Sequence, residues 1–247
     1  MARKGSLDLA KITEAAVELL DETGLAELST RRLAAKLGVS SPTLYWHVKD
    51  KAELLDLVAE AICADAFEID SSLPWREQLA SGLRQFRALL LRHRDAAALV
   101  RERPPTGPHR LGHIETTARI LLKAGFSEED TAGVSRLLTA HVLASAESFS
   151  ARKPDEAFLE RLATYPHVSR LGPAFAAQSG EDLFELGVEV ILDGLEARTK
   201  GPNKSAGTAS VEVVVSGGGG VVDQNPKNAR ENKRKKNKKK IKNDLGY

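Results

Sequence analysis

The sequence predicts an all-α protein. Apolar residues recur at three- and four-residue intervals in segment after segment, and cap-forming side chains and glycines separate those segments. Hardly any stretch before residue 210 alternates as a strand does, and no internal repeat is present.

Asp8 is placed to cap a first helix with the apolar face Ile12, Ala15, Ala16, Leu19 and Leu20. Gly24 ends it, since a residue without Cβ enters the left-handed region at little cost. Ser29-Thr30 opens a short helix through Leu37, closed by Gly38. Ser41-Pro42 starts a third, a cap followed by a proline at a position whose N–H would go unused. Asp50-Lys51-Ala52-Glu53 has capping-box spacing and opens a fourth helix with Leu54, Leu55, Val58 and Ile62. Longer helices follow. One spans Pro74 to His93, with Leu79, Leu83, Phe86, Leu89 and Leu90, and a short one covers Ala96 to Val100 before Pro104-Pro105. The next runs from about Arg110 to Ala124, with Leu111, Ile114, Ala118, Leu121 and Leu122 as its apolar face and Gly125 as its stop. Ser127 and Asp130 cap a helix to about Ala151; Pro154, Pro166 and Pro173 then mark a loop region with one short helix, and a last helix covers Glu181 to Arg198.

Composition narrows the class. Of 247 residues, 42% are hydrophobic and 28% charged, as in a chain that buries a sizeable core. The single cysteine, Cys63, excludes a disulfide framework and a multi-cysteine metal site, and suits the reducing cytoplasm where the protein is expected. No apolar run approaches the roughly 20 residues that span a bilayer, and no signal peptide is visible, so no membrane partner is expected. The net charge of +2 hides two unlike parts. Residues 200–247 hold 12 basic against 4 acidic residues, a net +8, while residues 1–199 hold 24 against 30, a net −6. In that tail Gly201-Pro202, the run Gly217 to Gly220 and the segment Lys227 to Lys242 read as linker and charged low-complexity sequence. Val211 to Val215 could pair as a strand, but with so few apolar residues to offset chain entropy the tail is expected to be disordered. Its shift from arginine to lysine suggests a coding origin different from the body.

Ser29 to Lys51 is the stretch that carries chemistry. Two short helices joined by Gly38-Val39-Ser40 have helix-turn-helix spacing. Ala34 is small where the helices cross, Gly38 makes the turn, and Leu33, Leu37, Val39 and Leu44 are apolar where the unit must seat on the first helix. The side chains left outward are Ser41, Thr43, Tyr45, Trp46 and His47, with Thr30, Arg31, Lys49 and Lys51 at the edges. Such donors and amphipathic aromatics suit phosphates and base edges in a major groove. The same spacing also occurs in ordinary helical cores, where Tyr45 and Trp46 would simply be packed. Against that reading, the second helix is too short and too polar to be placed by burial.

The runs Thr30-Arg31-Arg32-Leu33-Ala34-Ala35-Lys36-Leu37-Gly38-Val39 and Pro42-Thr43-Leu44-Tyr45-Trp46-His47-Val48-Lys49 closely resemble the DNA-binding domain of the tetracycline-repressor (TetR) family. The resemblance continues through Trp75, Phe86, His93-Arg94-Asp95, Arg103-Pro104, Gly125-Phe126-Ser127 and the final helix, covering about residues 8 to 198. It implies a helix-turn-helix DNA-binding domain over residues 1–50 and a larger helical effector-binding and dimerisation domain over 51–198, with the basic tail, 199–247, outside. It implies a homodimeric, ligand-responsive repressor whose recognition helices read half-sites of a palindromic double-stranded operator. Ser41, Pro42 and Thr43 would approach bases; Thr30, Tyr45, Trp46, His47 and Lys51 would hold phosphates, and Arg31 a base or a phosphate. Ser41 is shorter than the side chain some tetracycline repressors carry there. Dimerisation through late helices would use Leu183, Leu186, Gly187, Val190, Ile191, Gly194 and Leu195, although an ordinary core helix has the same pattern.

The resemblance also implies an effector pocket, and there the sequence departs from the tetracycline repressors. Phe67 replaces one drug-binding histidine and Gly82 an asparagine; Phe86 is retained, and Val100 stands where the metal-binding histidine would be. Without that imidazole a magnesium–tetracycline chelate loses its direct protein ligand. The expected inducer is a small molecule other than tetracycline, larger or more apolar, held among Phe67, Phe86, Val100, Arg103, Pro105, His113 and Thr117. Its binding would shift the helix between Asp50 and Phe67 and so change the spacing of the recognition helices. His109, His113 and His141 lack the tight spacing of a metal site. With no glycine-rich phosphate loop and no nucleophile elbow, neither an enzyme nor a cofactor is expected. Two rival readings remain at this level: an architectural DNA binder using the lysine-rich tail, and a helical ligand-binding protein without DNA function.

Overall fold

The computed structural model describes residues 7–65, 67–147 and 161–200, and among them every regular element is helical. The order is α1 (Leu9–Thr23), a 3-10 turn (Leu25–Glu27), α2 (Thr30–Leu37), α3 (Ser41–Tyr45), α4 (Lys51–Ile62), α5 (Trp75–Leu91), α6 (Ala96–Glu102), α7 (Pro108–Lys123), α8 (Glu128–Ser145), α9 (Pro166–Ala177) and α10 (Gly180–Lys200). The basic tail beyond 200, its Val211–Val215 segment, Ala151 and Pro154 lie outside the described residues.

Helix starts fall where a side chain reaches an orphan amide. Asp8 takes the Lys11 N–H at 2.9 Å, Asp50 that of Glu53 at 2.8 Å and Ser127 that of Asp130 at 3.1 Å. The third helix is capped one residue earlier than the sequence suggests. Ser40 Oγ takes the Thr43 N–H at 3.3 Å, so Ser41 is already helical. At α4 the returning arm of the box goes past Asp50: Glu53 accepts from the Lys49 amide at 2.6 Å. Gly38, with φ 65° and ψ 31°, makes the left-handed turn between α2 and α3 that a side chain would strain.

α1 buries Ile12, Ala16, Leu19 and Leu20 as it packs on α2 and α4, and Leu28, Leu33, Leu44 and Val48 close that unit. In the body, α5 lies against α6, α7, α8 and α10, and α8 lies between α7 and α10. α7 corrects the sequence reading. Its inward strip holds Arg110, Ile120 and Leu121, whereas Leu111, Ile114 and Leu122 are exposed. The helix carries two apolar strips, and the more regular one faces outward. Pro166 and Pro173, expected in a loop, both lie in α9. Pro166 costs nothing in the first turn, and Pro173 forgoes one helix hydrogen bond. No residue of α9 is buried, so Val168, Leu171 and Phe175 form an exposed apolar strip beside Tyr165.

α10 is two-faced. Phe184, Val188, Leu192 and Leu195 recur at helical spacing and are buried in the protomer. Leu195 and Gly187 therefore depart from the expected dimer set: Leu195, at 4% exposure, belongs to the inward strip, and Gly187 faces His141 of the same protomer. Ile191 is half-buried against the same core. Leu183, Leu186 and Val190 point outward, as does Leu137 of α8, and Gly194 has open space at its Cα. Arginines of α5 pair with carboxylates of α10: Arg76 with Asp193 and Glu196, Arg84 with Glu185 and Arg87 with Glu181. Phe184 is sandwiched, with the Arg87 guanidinium 4.8 Å from its centroid and the His141 ring parallel at 5.4 Å.

Gly187 makes that sandwich possible, because a Cβ there would lie inside the His141 ring. Gly187→Ala should destabilise the fold by about 1–3 kcal/mol through overpacking. Denaturant unfolding of the two proteins checks this, and an unchanged midpoint would speak against the close approach.

Candidate DNA-binding surface and effector site

The short α3 and its flanks present one continuous polar and aromatic surface. Leu44 and Val48 are buried and anchor it, so the residues between them must face outward. Trp46 is 88% exposed and Tyr45 50% exposed, which removes the alternative that the pair is ordinary core packing. Arg31, Pro42, Thr43, His47, Lys49 and Lys51 are also exposed, and Thr30 and Ser41 are half-buried. Thr43 Oγ1 and Ser40 Oγ are 2.8 Å apart, which orients the threonine hydroxyl. Behind this surface Lys36 joins α2 to α1 through Glu18 and Glu22, and those carboxylates raise its pKa.

The expected effector residues fall into an aromatic group and a loop group. Phe67 stacks on His113 with centroids 3.8 Å apart, and Phe86 stands 6.0 Å from both rings. The Glu68 amide donates to Gln85 Oε1 at 2.8 Å and Gln85 Nε2 returns to the Glu68 carbonyl at 2.9 Å, fixing the segment that carries Phe67. Gly82 lies beneath: a Cβ there would meet Ile69 at 3.5 Å and Phe67 at 4.0 Å. His113 Nε2 bonds the Asp65 carbonyl at 3.1 Å, and burial holds its pKa below the ordinary imidazole value. Thr117 spends its hydroxyl proton on the His113 carbonyl at 3.1 Å. In the loop group, Val100 is buried, Pro105 is half-buried, and the Arg103 guanidinium is committed to Asp56. Cys63 is buried beside them, and its thiol is pushed up to about 11, so it stays protonated. Among the described residues no cluster of three or more His, Cys, Asp or Glu side chains is placed to hold a metal ion, and no helix is long and apolar enough to cross a membrane.

Sequence reasoning missed the groups that join these two places. On α4, Asp56 takes Arg103 in a bidentate pair at 2.7 and 2.9 Å. One turn later Glu60 accepts the backbone N–H of His109 at 3.0 Å and of Arg110 at 3.4 Å. At the other end of α6, Asp21 accepts the Arg94 amide at 2.9 Å and faces His93 Nδ1 at 2.9 Å, while Asp95 accepts the Leu25 amide at 2.9 Å. Asp95 holds φ 56°, the one non-glycine positive φ among the described residues. Asp56 and Glu60, set one turn apart among the apolar residues in the middle and last turns of α4, were the available signal for the first pair.

Residues 12–58 match the model of bacterial regulatory proteins of the tetR family, and residues 71–199 match the tetracyclin repressor-like C-terminal domain. The chain belongs to the tetR family. A tetR-family likeness also appears in whole relatives. An HTH-type transcriptional regulator of Saccharopolyspora erythraea is 34% identical over 200 residues, covering 76% of this chain and 84% of that protein. The class A tetracycline repressor from transposon 1721 of Escherichia coli is 35% identical over 211 residues, covering 78% and 95%. The Streptomyces coelicolor tetR-family protein ActR, solved in complex with actinorhodin, superposes with a TM-score of 0.69 at 31% identity, covering 80% of this chain and all of that one (100%).

The lowered pKa of His113 makes a sign-specific prediction. Below the ordinary value of 6.5 the unfolded chain takes up a proton at this imidazole while the folded chain resists it. Stability should therefore fall as the pH drops below 6.5, and His113→Phe should flatten that acid limb. Equal slopes in both proteins would refute the burial argument.

Proposed function

We propose that the chain is a homodimeric repressor whose helix-turn-helix, residues 1–50, reads a palindromic operator and whose body, residues 51–198, senses a small aromatic inducer. The observation that carries the reading is the uncovered α3 surface, where Trp46 is 88% exposed on a face with no other packing role. Ser41, Pro42 and Thr43 are assigned to base edges. Thr30, Arg31, Tyr45, Trp46, His47, Lys49 and Lys51 are assigned chiefly to phosphates. The dimer uses the outward strip of α10, Leu183, Leu186, Val190 and Gly194, together with Leu137 of α8. Unpartnered apolar side chains lined up on two adjacent helices support that pairing.

The inducer is a planar, largely apolar polycyclic molecule. Support comes from the Phe67, Phe86 and His113 rings, which offer stacking faces, and from His113 being neutral, so it adds no cationic partner. Val100, at the position where the resemblance places the metal-binding histidine of tetracycline repressors, offers no donor for a chelated magnesium. The relative ActR was solved in complex with actinorhodin, which makes that molecule the first to try.

Selection of binding sites from random DNA with the full chain tests the reading. The expected result is a two-fold palindrome with half-sites about 34–36 Å apart. Thr43→Ala should cost about 1–3 kcal/mol at the cognate site and relax its base preference. Actinorhodin should release the complex, whereas magnesium–tetracycline should not. A selection without symmetry would overturn the operator reading. Separately, Val190→Arg with Leu137→Arg should convert the dimer to folded monomers in sedimentation; a dimer that persists would move the interface elsewhere.

A further inference from the structure

We propose that Asp56 and Glu60 are the positioning residues through which the effector site sets the orientation of the helix-turn-helix. The proposal deepens the repressor reading and rests on it for its biological meaning, while its geometry stands on contacts alone.

α7 begins without a cap of its own. Its N-cap residue is Gly107, which has no side chain to offer, and the amides of the first turn are free to seek a partner. α4 supplies it: Glu60 Oε2 takes the His109 N–H at 3.0 Å and Oε1 the Arg110 N–H at 3.4 Å. A carboxylate at the positive end of a helix is both hydrogen-bonded and favoured by the dipole. Gly107 has φ −97°, a conformation open to any residue, so its backbone does not require glycine. Space does. A Cβ at Gly107 would overlap the Glu60 carboxylate. The glycine keeps open a seat that only a side chain from another helix fills.

The second contact is Asp56 with Arg103, the residue directly after α6. Between the two contacts the chain is welded. The buried Arg110 guanidinium donates to the carbonyls of Val100 at 2.9 Å, Arg103 at 2.6 Å and Pro104 at 3.2 Å. The end of α6 and the start of α7 therefore move as one piece. That piece carries Val100, Arg103 and Pro105, and it continues along α7 to His113 and Thr117. One ion pair would leave α4 free to swivel on it, but two directional, charge-assisted contacts one turn apart fix a rigid helix in angle as well as position. Both partners of the Asp56–Arg103 pair are partly exposed, so stability is not their main yield. What they set is geometry.

The opposite end of α6 is tied to α1 and to the turn after it through Asp21 and Asp95. The helix-turn-helix unit is thus held at both ends of a helix about 10 Å long. A tilt of α6 caused by a ligand against Val100 becomes a rotation of the DNA-reading surface.

The test uses full-length chain carrying spin labels at Ala35→Cys on α2 and Glu129→Cys on α8, diluted with excess unlabelled chain so that distances within one protomer are read. Cys63 is buried and stays unlabelled. Glu60→Ala and Gly107→Ala should each broaden the distance distribution, and should weaken binding to the selected operator about tenfold, an ordinary size for coupling between sites. Glu60→Gln, which keeps shape and one acceptor, carries the test if Glu60→Ala does not fold. Asp56→Arg should broaden the distribution, and Asp56→Arg with Arg103→Asp should narrow it again. A residue that merely fills space would not be rescued by this exchange. Unchanged distributions in the single variants, or no rescue by the charge swap, would overturn the proposal. If the wild-type chain selects no operator, the repressor reading fails, and the distance distributions alone decide whether the latch exists.

Discussion

α4 has to satisfy two neighbourhoods at once, and the architecture follows from how it does so. Leu54, Leu55, Val58, Ala59 and Ile62 are all buried, and the helix packs on α1 on one side and on α6 and α7 on the other. A helix whose apolar face is so wide cannot be re-angled without exposing core, which ties the DNA-facing unit to the body by the hydrophobic effect. That attraction is non-directional, however, and would tolerate small rotations. The angular information comes from the polar groups set into the same helix, Asp56 and Glu60, and from Asp21 and Asp95 at the far end of α6. Burial supplies the adhesion, and the carboxylates supply the angle.

The same division of labour holds α10 in place. Phe184, Val188, Leu192 and Leu195 provide burial, and the arginines of α5 fix the register by meeting carboxylates on α10. The Arg76 and Arg84 pairs are partly exposed, so each contributes at most about 1 kcal/mol, whereas Arg87 is itself buried and reaches an exposed Glu181. Register matters here because the opposite face of α10 is left bare. Rotating the helix by one residue would bury Leu183 and expose Phe184. Holding the inward strip therefore also determines which residues a second copy can meet.

The HTH was legible because its signals are local. Ser29, Asp50 and the Gly38 turn act within three or four residues, and the buried Leu33, Leu44 and Val48 leave Tyr45 and Trp46 no inward place. Failures came where a partner lay far away in sequence. The α7 face was misread because Leu111, Ile114 and Leu122 are as periodic as the strip that is buried, and only packing on α5 and α8 chooses between them. Leu195 was placed on the outward face because leucine spacing does not tell one side of a two-faced helix from the other. The caps of α6 and α7 were invisible for the same reason. Glu60 and His109 are neighbours in space and 49 residues apart in the chain. The rings of Phe67, Phe86 and His113 lie together, whereas Thr117 and Arg103 are already engaged, one by its own helix and one by Asp56.

Charge partition gives the last constraint. Residues 1–199 carry 24 basic and 30 acidic residues, so the body as a whole is repelled by a phosphate backbone. Within the body, exposed basic side chains beside an aromatic pair are found around α3, where Arg31, His47, Lys49 and Lys51 surround Tyr45 and Trp46; the +8 of residues 200–247 is a separate source of attraction. A globally basic protein would bind DNA in many orientations and lose little when its two reading heads moved apart. An acidic body with one small basic and aromatic face has no such fallback of its own: under the proposed dimer, its contact would depend on both faces meeting the groove together. The weaker the non-specific attraction, the more a modest rotation of each head changes occupancy. For the body taken by itself, the proposed repressor would then depend on the orientation of its α3 face rather than on its net charge.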